Sequence, residues 1–76
     1  MVAQASRALR NGALAKAVGL ARQAVVASPR DADAWLTLGA AYQASGDVVA
    51  AHQAYRDCVA RATSANVSEC RVLASH

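Results

Sequence analysis

The chain has 76 residues, of which 55% are hydrophobic, much of that fraction being alanine, and a net charge of +3. A chain of this length forms one small domain that buries only about 60% of its unfolded surface, which leaves no room for an elaborate internal active site. It contains neither an apolar run near the roughly 20 residues that cross a bilayer nor a signal peptide, so we expect a soluble protein that does not contact membranes.

Alanine is the strongest helix former, and its abundance predicts an all-helical chain with no strand. In chain order, the predicted helices span residues 2–11, 13–28, 32–45, 47–62 and 67–74. Pro29 ends the second helix, because the residue before a proline is pushed out of the helical region. The predicted N-terminal caps are Asp31 or Asp33 for the third helix, Asp47 for the fourth and Asn66 or Ser68 for the fifth.

The charges are distributed unevenly along the chain. Five basic residues and no acid precede residue 31: Arg7, Arg10, Lys16, Arg22 and Arg30. From Asp31 onward, three arginines and five acids leave a net charge of −2. Such asymmetry occurs in proteins that bind nucleic acid or membranes and in chains that pack head to tail, but solvated helix faces are the simplest interpretation.

Two glycine turns lie 34 residues apart, Gly12 in RNGA and Gly46 in ASGD. In both turns Gly suits the left-handed residue that ends a helix. Small residues recur at the same interval, Ala17 with Ala51 and Ala24 with Cys58. This pattern predicts a repeated unit of helix, glycine turn and helix.

The segment WLTLGAAY at residues 35–42 has the spacing W-x2-L-G-x2-Y, and Ala51 and Tyr55 follow on the next helix. These features resemble the tetratricopeptide repeat (TPR) family. The resemblance implies an all-α fold in which antiparallel helix pairs stack as a short right-handed α-solenoid of about five helices. Residues 1–31 would form a first repeat truncated at its N-terminus, 32–65 the second, and 66–76 a partial third repeat or a capping helix.

The first unit departs from this pattern, since Met1, Gln4 and Ala8 stand where Trp, Leu and Tyr would be. We therefore expect its first helix to fray. A solenoid usually needs about three repeats, because one unit cannot bury its own hydrophobic face. The chain is thus expected to belong to a larger protein or assembly, or to be completed by a partner.

The predicted structural core lies on the second pair of helices. One helical face carries Trp35, Leu38 and Tyr42, and a face of the next helix carries Ala51, Tyr55 and Cys58. The two faces are predicted to interlock. Gly39 costs roughly 1 kcal/mol relative to Ala inside a helix, and it is expected to mark the point where another backbone crosses closely.

For Cys58 and Cys70, two alternatives fit: buried free thiols, or a disulfide that joins the fourth helix to the fifth. With His52 and His76 they have the spacing H-x5-C-x11-C-x5-H. Six residues rotate a helix by about 240°, so His52 and Cys58 are expected on different faces. We therefore predict no metal site and no cofactor.

No group of residues has a catalytic arrangement, because Ser68 and Glu69 lack a histidine at motif spacing and the glycines punctuate helices. We expect no enzymatic activity. Nucleic acid is a weaker alternative, as a helix-turn-helix-like domain, since the second helix of each pair begins with an acid or with apolar residues and the first half has no aromatic platform for stacking.

The resemblance implies a non-enzymatic protein–protein interaction module. Its concave groove, lined by the first helix of each unit, would bind a peptide or partner helix. The groove positions carry over to Val2, Ser6, Leu9, Arg10, Asp33, Leu36, Thr37, Ala40, Gln43, Ala44, Cys70, Arg71 and Ala74. Some family members clamp a terminal carboxylate there with Lys, Asn and Arg, but only Arg71 suits that role here. Self-association into a homo-oligomer, through the basic first unit and the acidic second, is the alternative.

Overall fold

The computed structural model describes residues 2–75, which form five α-helices and, within that range, no strand. The helices are α1 Val2–Arg10, α2 Leu14–Ala27, α3 Ala32–Ala44, α4 Val48–Arg61 and α5 Val67–Ala74. The predicted all-α class is confirmed, and each helix boundary lies within one residue of its predicted position. Met1 and His76, which entered the repeat and metal-spacing predictions, lie outside the described residues.

Two turns of the same geometry join α1 to α2 and α3 to α4. Gly12 and Gly46 have left-handed φ angles of 78° and 84°. The N–H of Ala13 donates to the carbonyl of Ala8 at 2.9 Å, and the N–H of Asp47 donates to the carbonyl of Tyr42 at 2.9 Å. These bonds use the carbonyls left free at the end of each first helix. The interval seen in the sequence is therefore repeated in the backbone.

Carboxylates cap α3 and α4. Asp31 accepts from the backbone N–H of Asp33 at 3.0 Å, and Asp47 accepts from that of Ala50 at 3.0 Å. Both caps also place negative charge at the positive end of the helix dipole. Asn66 precedes α5 without a side-chain capping bond. Its amide instead donates to the Asp33 carboxylate, so the prediction that it caps α5 is wrong.

The core is built mostly from alanine around one indole ring. The main cluster comprises Ala5, Ala21, Ala24, Val25, Ala32, Ala34, Trp35, Leu38, Ala54, Cys58 and Cys70. A smaller cluster comprises Ala8, Ala17 and Ala41. The Trp35 indole N–H donates to the Pro29 carbonyl at 2.8 Å, which holds α3 to the turn that follows α2. Since alanine side chains are small, the helices must approach closely to leave no voids.

The residues predicted for the core differ in burial. Trp35, Leu38, Gly39, Ala51, Tyr55 and Cys58 are buried, whereas Tyr42 is half-buried. A Cβ atom at Gly39 would lie 2.3 Å from Cε1 of Tyr55. The atoms nearest to Gly39 are therefore those of an aromatic ring and not those of a crossing backbone, as had been predicted. In the first unit, buried Ala5 and Ala21 occupy the two equivalent positions.

The helices form two unequal layers. Consecutive helices pack against each other, and α3 also approaches α1 and α5. Within residues 2–75, by contrast, no Cα atom of α2 lies within 8 Å of one in α4. The loop after α4 docks on the loop after α2, where Thr63 N–H donates to the Arg30 carbonyl at 2.9 Å and Ser64 Oγ accepts from Ala32 N–H at 3.0 Å. The odd-numbered helices are thus close together, and the even-numbered ones are spread apart.

A disulfide between Cys58 and Cys70 joins α4 to α5, with the two Cα atoms 6.0 Å apart. Both cysteines are fully buried in the main cluster. Of the two alternatives left open by the sequence, the structure contains the disulfide. The short α5 is therefore attached covalently as well as by packing.

Removing this disulfide is expected to destabilise the chain by about 3 kcal/mol, because a bond between residues 12 apart restricts the unfolded chain by that amount of loop entropy. The measurement compares urea midpoints of the oxidised protein, the reduced protein and the double variant Cys58→Ala, Cys70→Ala. The reduced protein retains both sulfur atoms and so controls for the cavity in the double variant. Equal midpoints for the oxidised and reduced proteins would contradict the expectation.

Candidate interaction surface

The predicted groove residues on α3 lie on the side of the helix that faces away from α2 and α4. Asp33, Gln43 and Ala44 are exposed, and Leu36, Thr37 and Ala40 are half-buried. The opposite side of α3 supplies the buried residues Trp35, Leu38 and Ala41. α3 therefore contributes one side to the core and one to an accessible surface. We call the accessible surface of α1, α3 and α5 the odd-helix surface.

A shallow apolar strip runs along the middle of α3. Leu36 is half-buried and packs partly against the main cluster. Ala40 lies one turn further along the same helical face and adds little bulk. Beside it, the Thr37 hydroxyl donates to the Asp33 carbonyl at 2.8 Å, so that hydroxyl is already occupied within the helix. The strip offers a ligand apolar contact with room for its main chain.

The polar groups at the two ends of this strip already have partners. One oxygen of Asp33 accepts from the Asn66 amide. Oε1 of Gln43 accepts from the Tyr55 hydroxyl at 3.0 Å. Burial raises the pKa of Tyr55, which keeps that hydroxyl protonated and donating. A ligand would therefore meet the second oxygen of Asp33 and the NH₂ group of Gln43.

The flanking helices contribute less than the sequence predicts. On α1, Val2, Ser6 and Leu9 are half-buried, Val2 and Leu9 pack against the two core clusters, and Arg10 is exposed. On α5, Arg71 is exposed and Ala74 is half-buried. Cys70 is fully buried in the disulfide, so its assignment to the groove is wrong. The surface is centred on α3, with one exposed arginine on either side.

His52 is a structural residue in this arrangement. Its Nε2 lies within hydrogen-bonding distance of the Ala74 carbonyl, which fastens the end of α5 to α4. The side chains of His52 and Cys58 therefore both contact α5, contrary to the expectation that they point to different faces. Among residues 2–75, no three His, Cys, Asp or Glu side chains form a group that could hold a metal ion.

A cleft of about 600 Å³ continues from the Gln43 end of the strip. Its walls include Val48 and Val49, which are 68% and 80% exposed, together with Leu73 of α5. The sequence analysis placed these valines only within a helical window and assigned them no function. The signal that it missed was a valine pair at the start of a helix, directly after the glycine turn, where neither side chain has a core to enter.

Each helix pair also has a cleft between its own two helices. The second cleft, between α3 and α4, has a volume of about 130 Å³ and is lined in part by Trp35, Leu38 and Tyr42. The first cleft, between α1 and α2, has a volume of about 370 Å³. Gln4 and Ala8 line it at positions 34 residues before Leu38 and Tyr42. The first cleft is larger because the first unit lacks these bulky apolar side chains.

No helix in the described part of the chain is both long and apolar enough to cross a membrane. No protein-family model matches the sequence, and neither the curated proteins nor the solved structures contain a match. A function for the chain therefore has to be inferred from its surfaces and their chemistry.

Proposed function

We propose that the chain is a non-enzymatic, TPR-like protein-interaction module that binds a peptide or partner helix on its odd-helix surface. The observation that carries the proposal is the unequal packing of the two layers. α3 approaches both α1 and α5, whereas α2 and α4 stay apart in the described chain. A stack that is tighter on one side curves towards that side, which favours a concave odd-helix surface. Concave surfaces of helical repeats are their usual binding sites.

Two further features support a TPR-like right-handed α-solenoid. The turns at Gly12 and Gly46 have the same geometry and the same closing hydrogen bond. The loops after α2 and α4 dock on one another through Thr63 and Ser64, as expected when one unit stacks on the next. The W-x2-L-G-x2-Y spacing adds a sequence feature that is independent of both.

The chemistry of the surface favours an apolar ligand with a free backbone edge. An apolar side chain would pack on Leu36 and Ala40, while the NH₂ group of Gln43 donates to a ligand carbonyl. Asp33 favours a basic ligand residue at one end, and Arg10 an acidic one at the other. Both are exposed, so each charge contributes no more than about 1 kcal/mol.

Peptides selected from a random display library on the immobilised chain test the proposal. Ala40→Arg places a long charged side chain in the middle of the strip and is expected to weaken the selected peptides at least tenfold, about 1.4 kcal/mol. The matched control is Val26→Arg, because Val26 is 82% exposed on α2, away from this surface. Circular dichroism first confirms that both variants fold. Equal binding to both variants would place the peptides elsewhere.

Among the selected peptides, Leu36→Ala is expected to weaken binding by about tenfold, and Asp33→Ala by no more than about fivefold. Apolar burial in a groove contributes more than an exposed, screened charge. Asn66→Ala is the control, since it removes the hydrogen bond to Asp33 without changing the charge. Calorimetry measures all three. Loss of binding in Asp33→Ala alone, with Leu36→Ala unaffected, would replace the apolar strip with an electrostatic clamp.

A further inference from the structure

We infer that the first cleft, between α1 and α2, binds an acidic peptide segment that inserts one bulky apolar side chain. This site is separate from the odd-helix surface. It is defined by a comparison within the chain, because the first and second clefts occupy equivalent places in two helix pairs 34 residues apart. In the second pair, Leu38 and Tyr42 line a cleft of about 130 Å³. In the first, Gln4 and Ala8 leave about 370 Å³.

The volume of the first cleft lies within the roughly 300–1,000 Å³ of typical ligand pockets. Ala8 and Leu20 supply its apolar lining. Ala8 is 7% exposed and belongs to the smaller core cluster, so this lining is fixed by the fold. A ligand side chain can therefore occupy the volume that bulky side chains of the chain itself take up in the second pair.

The remaining lining is basic and polar. Arg7 and Lys16 are exposed beside the apolar lining, with Gln4 and Asn11 adding amide groups. No carboxylate lines this cleft, and no acid precedes Asp31 in the sequence. The residues 34 positions after Arg7 and Lys16 are both alanine, Ala41 and Ala50. The two cations are thus a feature of the first pair alone.

These groups favour carboxylates over phosphates of nucleic acid. Arginine binds a carboxylate through paired N–H donors, and lysine adds a point charge. Single-stranded nucleic acid binds through aromatic side chains on which its bases stack, and none lines this cleft. The combination of an apolar pocket and two adjacent cations fits a peptide with an aromatic or large aliphatic residue between acids.

A fluorescein-labelled peptide with one Trp flanked on both sides by Glu is the probe. Anisotropy is expected to show binding that weakens with added salt, and the same peptide with Gln for Glu, or with Ala for Trp, should bind at least roughly tenfold more weakly. The double variant Arg7→Ala, Lys16→Ala installs the residues of the second pair and should likewise lose roughly tenfold. Alanine favours helix, and both replaced residues are exposed, so the variant should fold.

The matched control is Arg22→Ala with Arg30→Ala, which makes the same change in charge at exposed positions outside the first cleft and should bind as the unmodified chain does. Ala40→Arg should also bind unchanged, which separates this site from the proposed groove. The inference is overturned if the peptide does not bind, if the two charge variants lose equally, if Ala40→Arg abolishes binding, or if an oligothymidine strand binds more tightly than the peptide.

Discussion

Replacing Trp35 with alanine is expected to unfold most of the chain at room temperature. The side chain is 7% exposed in the main cluster. Burying about 200 Å² of an aromatic ring at about 25 cal/mol per Å² contributes up to about 5 kcal/mol. That equals the total stability expected of a domain at the lower end of the size range. The variant also removes the indole N–H that donates to the Pro29 carbonyl.

Circular dichroism and a thermal melt measure this effect. Trp35→Phe separates the two contributions, because it retains a large ring but loses the hydrogen bond, and it is expected to cost only about 1–2 kcal/mol and remain folded. Val26→Ala, at an 82% exposed position, is the control for a surface change. A native helical signal and an unchanged melting midpoint for Trp35→Ala would show that the ring does not hold the core together.

Local signals explain why the helix positions could be predicted. Alanine favours helix at almost every position, Gly12 and Gly46 adopt the left-handed conformation that ends a helix, and Pro29 stops α2. Each of these effects acts within a few residues. Capping by Asp31 and Asp47 is equally local, since each carboxylate bonds an N–H two or three positions ahead.

The predictions that failed depend on distant partners. Asn66 has the composition of a cap, but its amide bonds Asp33, which lies 33 residues earlier. Cys70 was assigned to the groove by carrying repeat positions onto α5, yet its disulfide with Cys58 buries it completely. Neither pairing can be read from spacing, because both arise only when α5 packs against its neighbours.

The candidate sites show the same division. The half-buried Leu36 and Ala40 follow from helical spacing, which separates them from the buried face of α3. The larger first cleft could not be predicted as a site, because it depends on the volume left where Gln4 and Ala8 replace bulkier residues. The substitutions are visible in the sequence, whereas the cleft requires the positions of both helices.

The second large effect is expected at the contact between Gly39 and Tyr55. An alanine Cβ at position 39 would lie 2.3 Å from a ring that is only 3% exposed. Gly39→Ala should therefore destabilise the chain by about 1–3 kcal/mol, although alanine is the better helix former. Tyr55→Ala should cost about 3–5 kcal/mol through the lost ring.

The double variant Gly39→Ala, Tyr55→Ala reproduces the pair Ala5 and Ala21, which is fully buried in the first unit. With the ring removed, Gly39→Ala is expected to stabilise the helix by up to about 1 kcal/mol, so the sign of its effect reverses between the two backgrounds. Urea titrations of all four proteins at one fixed TMAO concentration keep the weakest variant measurable. If Gly39→Ala instead costs the same with and without the ring, the two positions are independent. The glycine would then be required by something other than its contact with Tyr55.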